Sequence, residues 1–141
     1  MLTPVAITSR TEYDYVRRLG YEPLLDKRFS VEINLRVEIQ RELFGTGHSP
    51  EENEKFYRWC WAHKPHQCEE TMRPLFQYSA VCVSHILTRG AHPEMAHDPR
   101  NVNILCFEMH NKWENGDRRS MRIYEKNQLT IRQLREEYGK I

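Results

Sequence analysis

The sequence predicts an α+β fold, in which a strand–loop–strand–helix unit at about residues 79–116 is wrapped by N- and C-terminal helices in a single domain, 1–141. Three observations predict it. Ala80, Val81 and Val83, within the run from Ser79 to Ser84, are small or β-branched and suit a short strand. A loop with Gly90, Pro93, Asp98 and Pro99 follows, then an apolar run from Val102 to Cys106 that leads into a helix from about Phe107. On both sides of this unit lie stretches with helix-capping signals.

In chain order, residues 1–8 read as a short extended segment broken by Pro4. A first helix is expected from about Arg10 to Leu19, with Ser9 and Glu12 as a capping box and Gly20 as its stop, burying Tyr13, Val16 and Leu19. Residues 29–44 carry two periods at once. Phe29, Val31, Ile33, Leu35, Val37 and Ile39 alternate as a strand would, whereas Val31, Leu35, Ile39 and Leu43 recur every four. The length of the run and Gly45 at its end favour a helix from about Val31 to Phe44. Ser49, Pro50 and Glu52 open a firmer helix that runs to about His63 and places Phe56, Trp59 and Cys60 on one face. A loop spans 63–77, and Asn115, Gly116 and Asp117 form a turn. The last helix is expected from Ile131 to about Tyr138, with Thr130 and Gln133 as its box and Leu129 and Leu134 as its staple.

The chain has 141 residues, 39% of them hydrophobic and 11% aromatic, which is enough to bury a core and argues against disorder. Its 21 Lys and Arg against 20 Asp and Glu exclude a protein that coats nucleic acid by bulk charge, so any grip on phosphate must be local. No apolar run approaches the length of a membrane span, and the N-terminus lacks the pattern of an export signal. Four scattered cysteines without an intact CxxC suit reduced thiols and a cytoplasmic setting.

Chemistry-bearing residues concentrate in the 79–116 unit. His85 ends the first strand, fifteen residues separate it from Asn101, eight more lead to His110, and three more to Glu114. His110 and Glu114, four apart on a helix, share a face and could ligate a divalent ion. This pattern resembles the HNH (ββα-metal, or His-Me finger) endonuclease family, and the wording RGAHPE followed by DPRN is similar to phage recombination nucleases of the NinG type. The resemblance covers about a quarter of the chain. It implies a bacterial or phage source and hydrolysis of phosphodiester bonds in DNA, with His85 as general base and Asn101 as its orienter. His110 and Glu114 would then bind Mg²⁺, with Mn²⁺ or Zn²⁺ as alternatives. Arg89 in the loop could grip a phosphate through its planar fork, and Arg118, Arg119 and Arg122 with Lys112 form a basic cluster beside the motif.

Two positions depart from that family. The residue before the base, usually a metal-ligating Asp or His, is Ser84. The CxxC pairs that hold a structural zinc in many members correspond here to Cys68–Thr71 and Cys106–Met109, so no structural zinc is expected. The alternative reading is a catalytically weak HNH-fold module that binds nucleic acid or a protein.

Overall fold

The structure, a computed structural model describing residues 3–141, is a mixed α+β fold of five α-helices and two small two-stranded sheets among the described residues. Strand β1 (Val5–Ile7) pairs in parallel with β2 (Phe29–Val31), and helix α1 (Arg10–Arg18) forms the crossover between them. Residues 1 and 2 of the expected extended segment lie outside the described residues. Ser9 caps α1 by accepting from the Glu12 amide, while the Glu12 carboxylate reaches past Ser9 to the Thr8 amide. Tyr13 and Val16 are buried as expected, but Leu19 is exposed because α1 ends before it completes a third turn on the core.

Both periods in residues 29–44 are real, and each governs its own part. The alternation at Phe29–Val31 makes β2, and the four-residue recurrence makes α2 (Ile33–Phe44). The helix begins two residues later than expected because Val31 is held in the parallel ladder and Glu32 caps the helix, accepting from the Asn34 and Leu35 amides. Gly45 closes α2 in the left-handed region, φ 92°, where a β-carbon would be strained. Helix α3 (Pro50–His63) carries the full reciprocal capping box between Ser49 and Glu52.

The hairpin strands are shorter than the sequence suggests. Residues Ala80–Cys82 form a 3₁₀ turn capped by Ser79, and only Val83–His85 (β3) pair, antiparallel, with Val102–Ile104 (β4). Helix α4 (Phe107–Asn115) follows directly. Val83, Val102 and Ile104 pack with Phe56 and Cys60 of α3. The opposite face of the hairpin carries Ser84 and Asn103, which are cross-strand partners. Asn103 exchanges side-chain hydrogen bonds of 3.2 and 2.8 Å with Asn127. The free edge of β4 is covered by side chains instead of a third strand. Lys64 Nζ donates to the Val102 carbonyl at 2.9 Å, and the Glu69 carboxylate accepts from the Ile104 amide.

The final helix, α5 (Tyr124–Tyr138), starts seven residues earlier than the sequence suggests. Thr130 does not cap it; its hydroxyl donates to the Lys126 carbonyl one turn back, and Leu129 is exposed instead of forming a staple. The early start has a tertiary cause, since Asn127 must lie on the buried face with Ile131, Leu134 and Tyr138 to meet Asn103.

The long loop between β3 and β4 is tied down by a buried carboxylate. Asp98 is fully enclosed and takes an ion pair from Arg36 of α2 at 3.3 Å, another from Arg100 at 2.8 Å, and a hydrogen bond from the Tyr138 hydroxyl at 2.9 Å. Burial alone would raise the Asp98 pKa, but Arg100 and Arg36 hold it far below the usual carboxylate range. Arg100 also grips Glu137 of α5 at 3.0 Å, so one loop segment is bonded to helices from both ends of the chain. Among the described residues no helix is long and apolar enough to cross a membrane.

Candidate active site

His85 closes β3, half-buried between the hairpin and α3. Its ring stacks on Phe56 at 6.0 Å and meets Tyr57 edge-on at 5.9 Å. Its Nε2 lies 2.8 Å from the Ala96 carbonyl oxygen. A carbonyl only accepts, so Nε2 carries the proton and the Nδ1 lone pair is free to take another. Burial lowers the pKa of His85, and the nearby charges of Arg89 and His110 lower it further; the bond to Ala96 and the charge of Glu114 oppose this. The charges of Arg89, His110 and Glu114 therefore all reach His85, although Glu114 lies 29 positions away in sequence.

Asn101 is fully buried, and its side-chain hydrogen bonds do not go to His85. Its Oδ1 accepts from the Leu87 amide at 2.9 Å, and its Nδ2 donates to the carbonyls of Leu87 at 3.0 Å and Met95 at 3.2 Å. Met95 precedes Ala96, the residue whose carbonyl holds His85. Asn101 thus ties the start of the loop to its middle, next to the residue whose carbonyl meets the imidazole.

On α4, His110 Nδ1 donates to the Val81 carbonyl at 2.5 Å, and Nε2 lies 3.0 Å from Glu114 Oε1. With the Nδ1 proton committed, a neutral His110 would face the carboxylate with a lone pair. Two lone pairs at that separation need a proton or a cation between them. Two donor atoms about 3 Å apart match neighbouring vertices of an octahedron with bonds of about 2.1 Å. A ring whose other nitrogen donates to a backbone carbonyl is also the usual arrangement of a metal-binding histidine. The donor set therefore fits a divalent ion held by His110 and Glu114, with the remaining positions left to water and substrate. No group of three or more His, Cys, Asp or Glu side chains that could hold a metal occurs among the described residues.

Ser84 supplies nothing to this side. It is fully buried on the face opposite His85, and its hydroxyl has no hydrogen-bond partner. Arg89 is exposed on the loop, and its charge acts on both His85 and Tyr57. Of the basic cluster, Arg118 is drawn over the Trp113 ring at 4.6 Å, while Arg119 and Arg122 are exposed beyond the Glu114 end of α4.

Comparison of the chain with known protein families, with characterised proteins and with solved structures finds no match. The local geometry carries the functional reading alone.

Several contributors were not visible beforehand. The Ala96 and Val81 carbonyls that set the two imidazoles are backbone groups without a sequence signal. Phe56 and Tyr57 of α3 flank the His85 ring, and Phe56 packs against the hairpin. His97, in a loop of polar sequence, is buried, stacked on Phe56 at 5.1 Å and hydrogen-bonded through Nε2 to Asn53 Oδ1 at 2.8 Å. Burial, with His48 and His85 close by, lowers its pKa to about 4.

Proposed function

We propose that this protein is a metal-dependent endonuclease of the HNH type, a ββα-metal unit hydrolysing phosphodiester bonds in DNA. The observation that carries the reading is the His85 imidazole, with Nε2–H committed to Ala96 and Nδ1 free, beside the His110–Glu114 pair. His85 Nδ1 takes a proton from the attacking water as the water oxygen bonds to phosphorus and the bond to the leaving sugar oxygen breaks. Arg89 holds the phosphate near the base, and Asn101 keeps the loop from carrying Ala96 away. A divalent ion at His110 and Glu114 would supply charge stabilisation for the phosphate and the leaving oxygen. Arg119 and Arg122, past the end of α4, would meet the nucleic-acid backbone.

A second reading has one observation in its favour. Ser84 is turned into the core, leaving two side-chain ligands from a single helix, which suits a weakly active or purely binding HNH-fold module. One assay separates the two: purified protein with plasmid and with single-stranded DNA, in Mg²⁺, in Mn²⁺ and with chelator. Metal-dependent nicking that disappears in His85→Ala supports the endonuclease. DNA binding without cleavage in either metal supports the module, and neither binding nor cleavage removes the endonuclease and the nucleic-acid-binding form of the module.

A further inference from the structure

Two thiols lie at the start of the loop after α3 and at the N-cap of α4. The Sγ atoms of Cys68 and Cys106 lie 3.7 Å apart, although 38 positions separate the residues in sequence. Their settings differ. Cys68 is wholly buried, and Cys106 is partly exposed. Burial would push the Cys68 thiol up, but the Thr71 hydroxyl and the nearby amides of Cys106, Thr71 and Glu70 more than offset it, leaving it below the ordinary range. The loop that carries Cys68 is closed by the Met72 amide donating to the Cys68 carbonyl at 2.8 Å and the Cys68 amide donating to the Arg73 carbonyl at 2.9 Å. Thr71 and Met109 occupy positions that would have to be thiolates for a tetrahedral zinc site, so the two cysteines face each other with nothing in the donor set to lock them as ligands.

We propose that Cys106 and Cys68 form a redox modification site that reacts with low-molecular-weight disulfides, Cys106 as the attacking thiol and Cys68 as the resolving one. Exposure selects Cys106 for the first step, although burial pushes its thiol up. Its thiolate attacks one sulfur of the exogenous disulfide, forming a mixed disulfide and expelling one thiolate. The Cys68 thiolate then attacks the Cys106 sulfur, forming the internal bridge and releasing the second thiolate. The protein pair loses two electrons and two protons, the exogenous disulfide gains them, and the cross-link closes from 3.7 Å to about 2.05 Å between sulfurs. The bridge would staple the first turn of α4, four residues before His110, to the 68–73 loop. Cys82 and Cys60 are not participants. Both are buried, and burial raises both thiols, Cys60 to about 12.

The test treats the reduced full-length protein with oxidised glutathione, alkylates the remaining free thiols, and maps the peptides by mass spectrometry without reduction. A Cys68–Cys106 cross-linked peptide, with Cys60 and Cys82 alkylated, is expected, together with a rise in Tm that dithiothreitol reverses. Cys68→Ser should stop at a glutathione adduct on Cys106, and Cys106→Ser should give no adduct on Cys68. Four alkylated thiols in the parent, an adduct on Cys106 that never resolves, or a bridge through Cys82 would each overturn the proposal. The parent measurement decides the matter even if a serine variant fails to fold, and no step depends on nuclease activity.

Discussion

Asn101→Ala is the substitution whose cost follows most directly from the geometry. The parent side chain makes three hydrogen bonds in a site closed to water, to Leu87 N–H, Leu87 C=O and Met95 C=O. Three bonds at about 1 kcal/mol each, plus the penalty for stranding buried backbone groups, give a loss of ~3–5 kcal/mol. That is a large share of the ~5–15 kcal/mol that holds a typical domain together. For a chain of this size it corresponds to a fall in Tm of roughly 10–15 °C. Urea unfolding followed by tryptophan fluorescence is the assay, with the midpoint lowered and the slope unchanged. Because Met95 adjoins Ala96, the surviving folded fraction should also cleave DNA more slowly than its concentration accounts for. A loss of less than about 1 kcal/mol would refute the account of Asn101 as the residue that fixes the loop.

Three further outcomes are expected. His85→Ala should reduce cleavage by about 10²–10⁴-fold with little change in Tm. In the parent, the acid limb of the rate profile should lie below pH 6.5, since burial lowers the His85 pKa and keeps the neutral base populated there; a limb above 6.5 would contradict this. Ser84→Asp should not tighten metal binding in calorimetry and should cost several kcal/mol, because the carboxylate would be buried and unpaired on the face opposite His85. Stability should fall as pH drops from about 6.5 towards 4. His97 takes up its proton near 6.5 when unfolded but only at about 4 when folded, so its contribution, at most about 3 kcal/mol, is fully present above 6.5. His97→Gln should flatten that slope in acid denaturation.

Local signals determined a good part of this protein. The capping box of Ser49 and Glu52, the left-handed stop at Gly45 and the spacing of His110 and Glu114 were legible because each depends on residues within one or two turns. The same holds for the order strand, loop, strand, helix around His85 and Asn101. Tertiary structure decided the rest. Where α5 begins depends on Asn127 meeting Asn103, 24 positions away, and that contact overrode a capping pattern at Thr130 that looked sound locally. His97 and Asp98 lie in a polar loop, yet Phe56, Arg36 and Arg100 turn them into buried anchors. Ser84 could be seen to stand where a ligand was wanted, but only the hairpin register shows that it faces the core. The tautomers of His85 and His110 belong to the same class. They are set by the carbonyls of Ala96 and Val81, and a backbone oxygen is the same in every residue, so sequence carries no mark of which one an imidazole will meet.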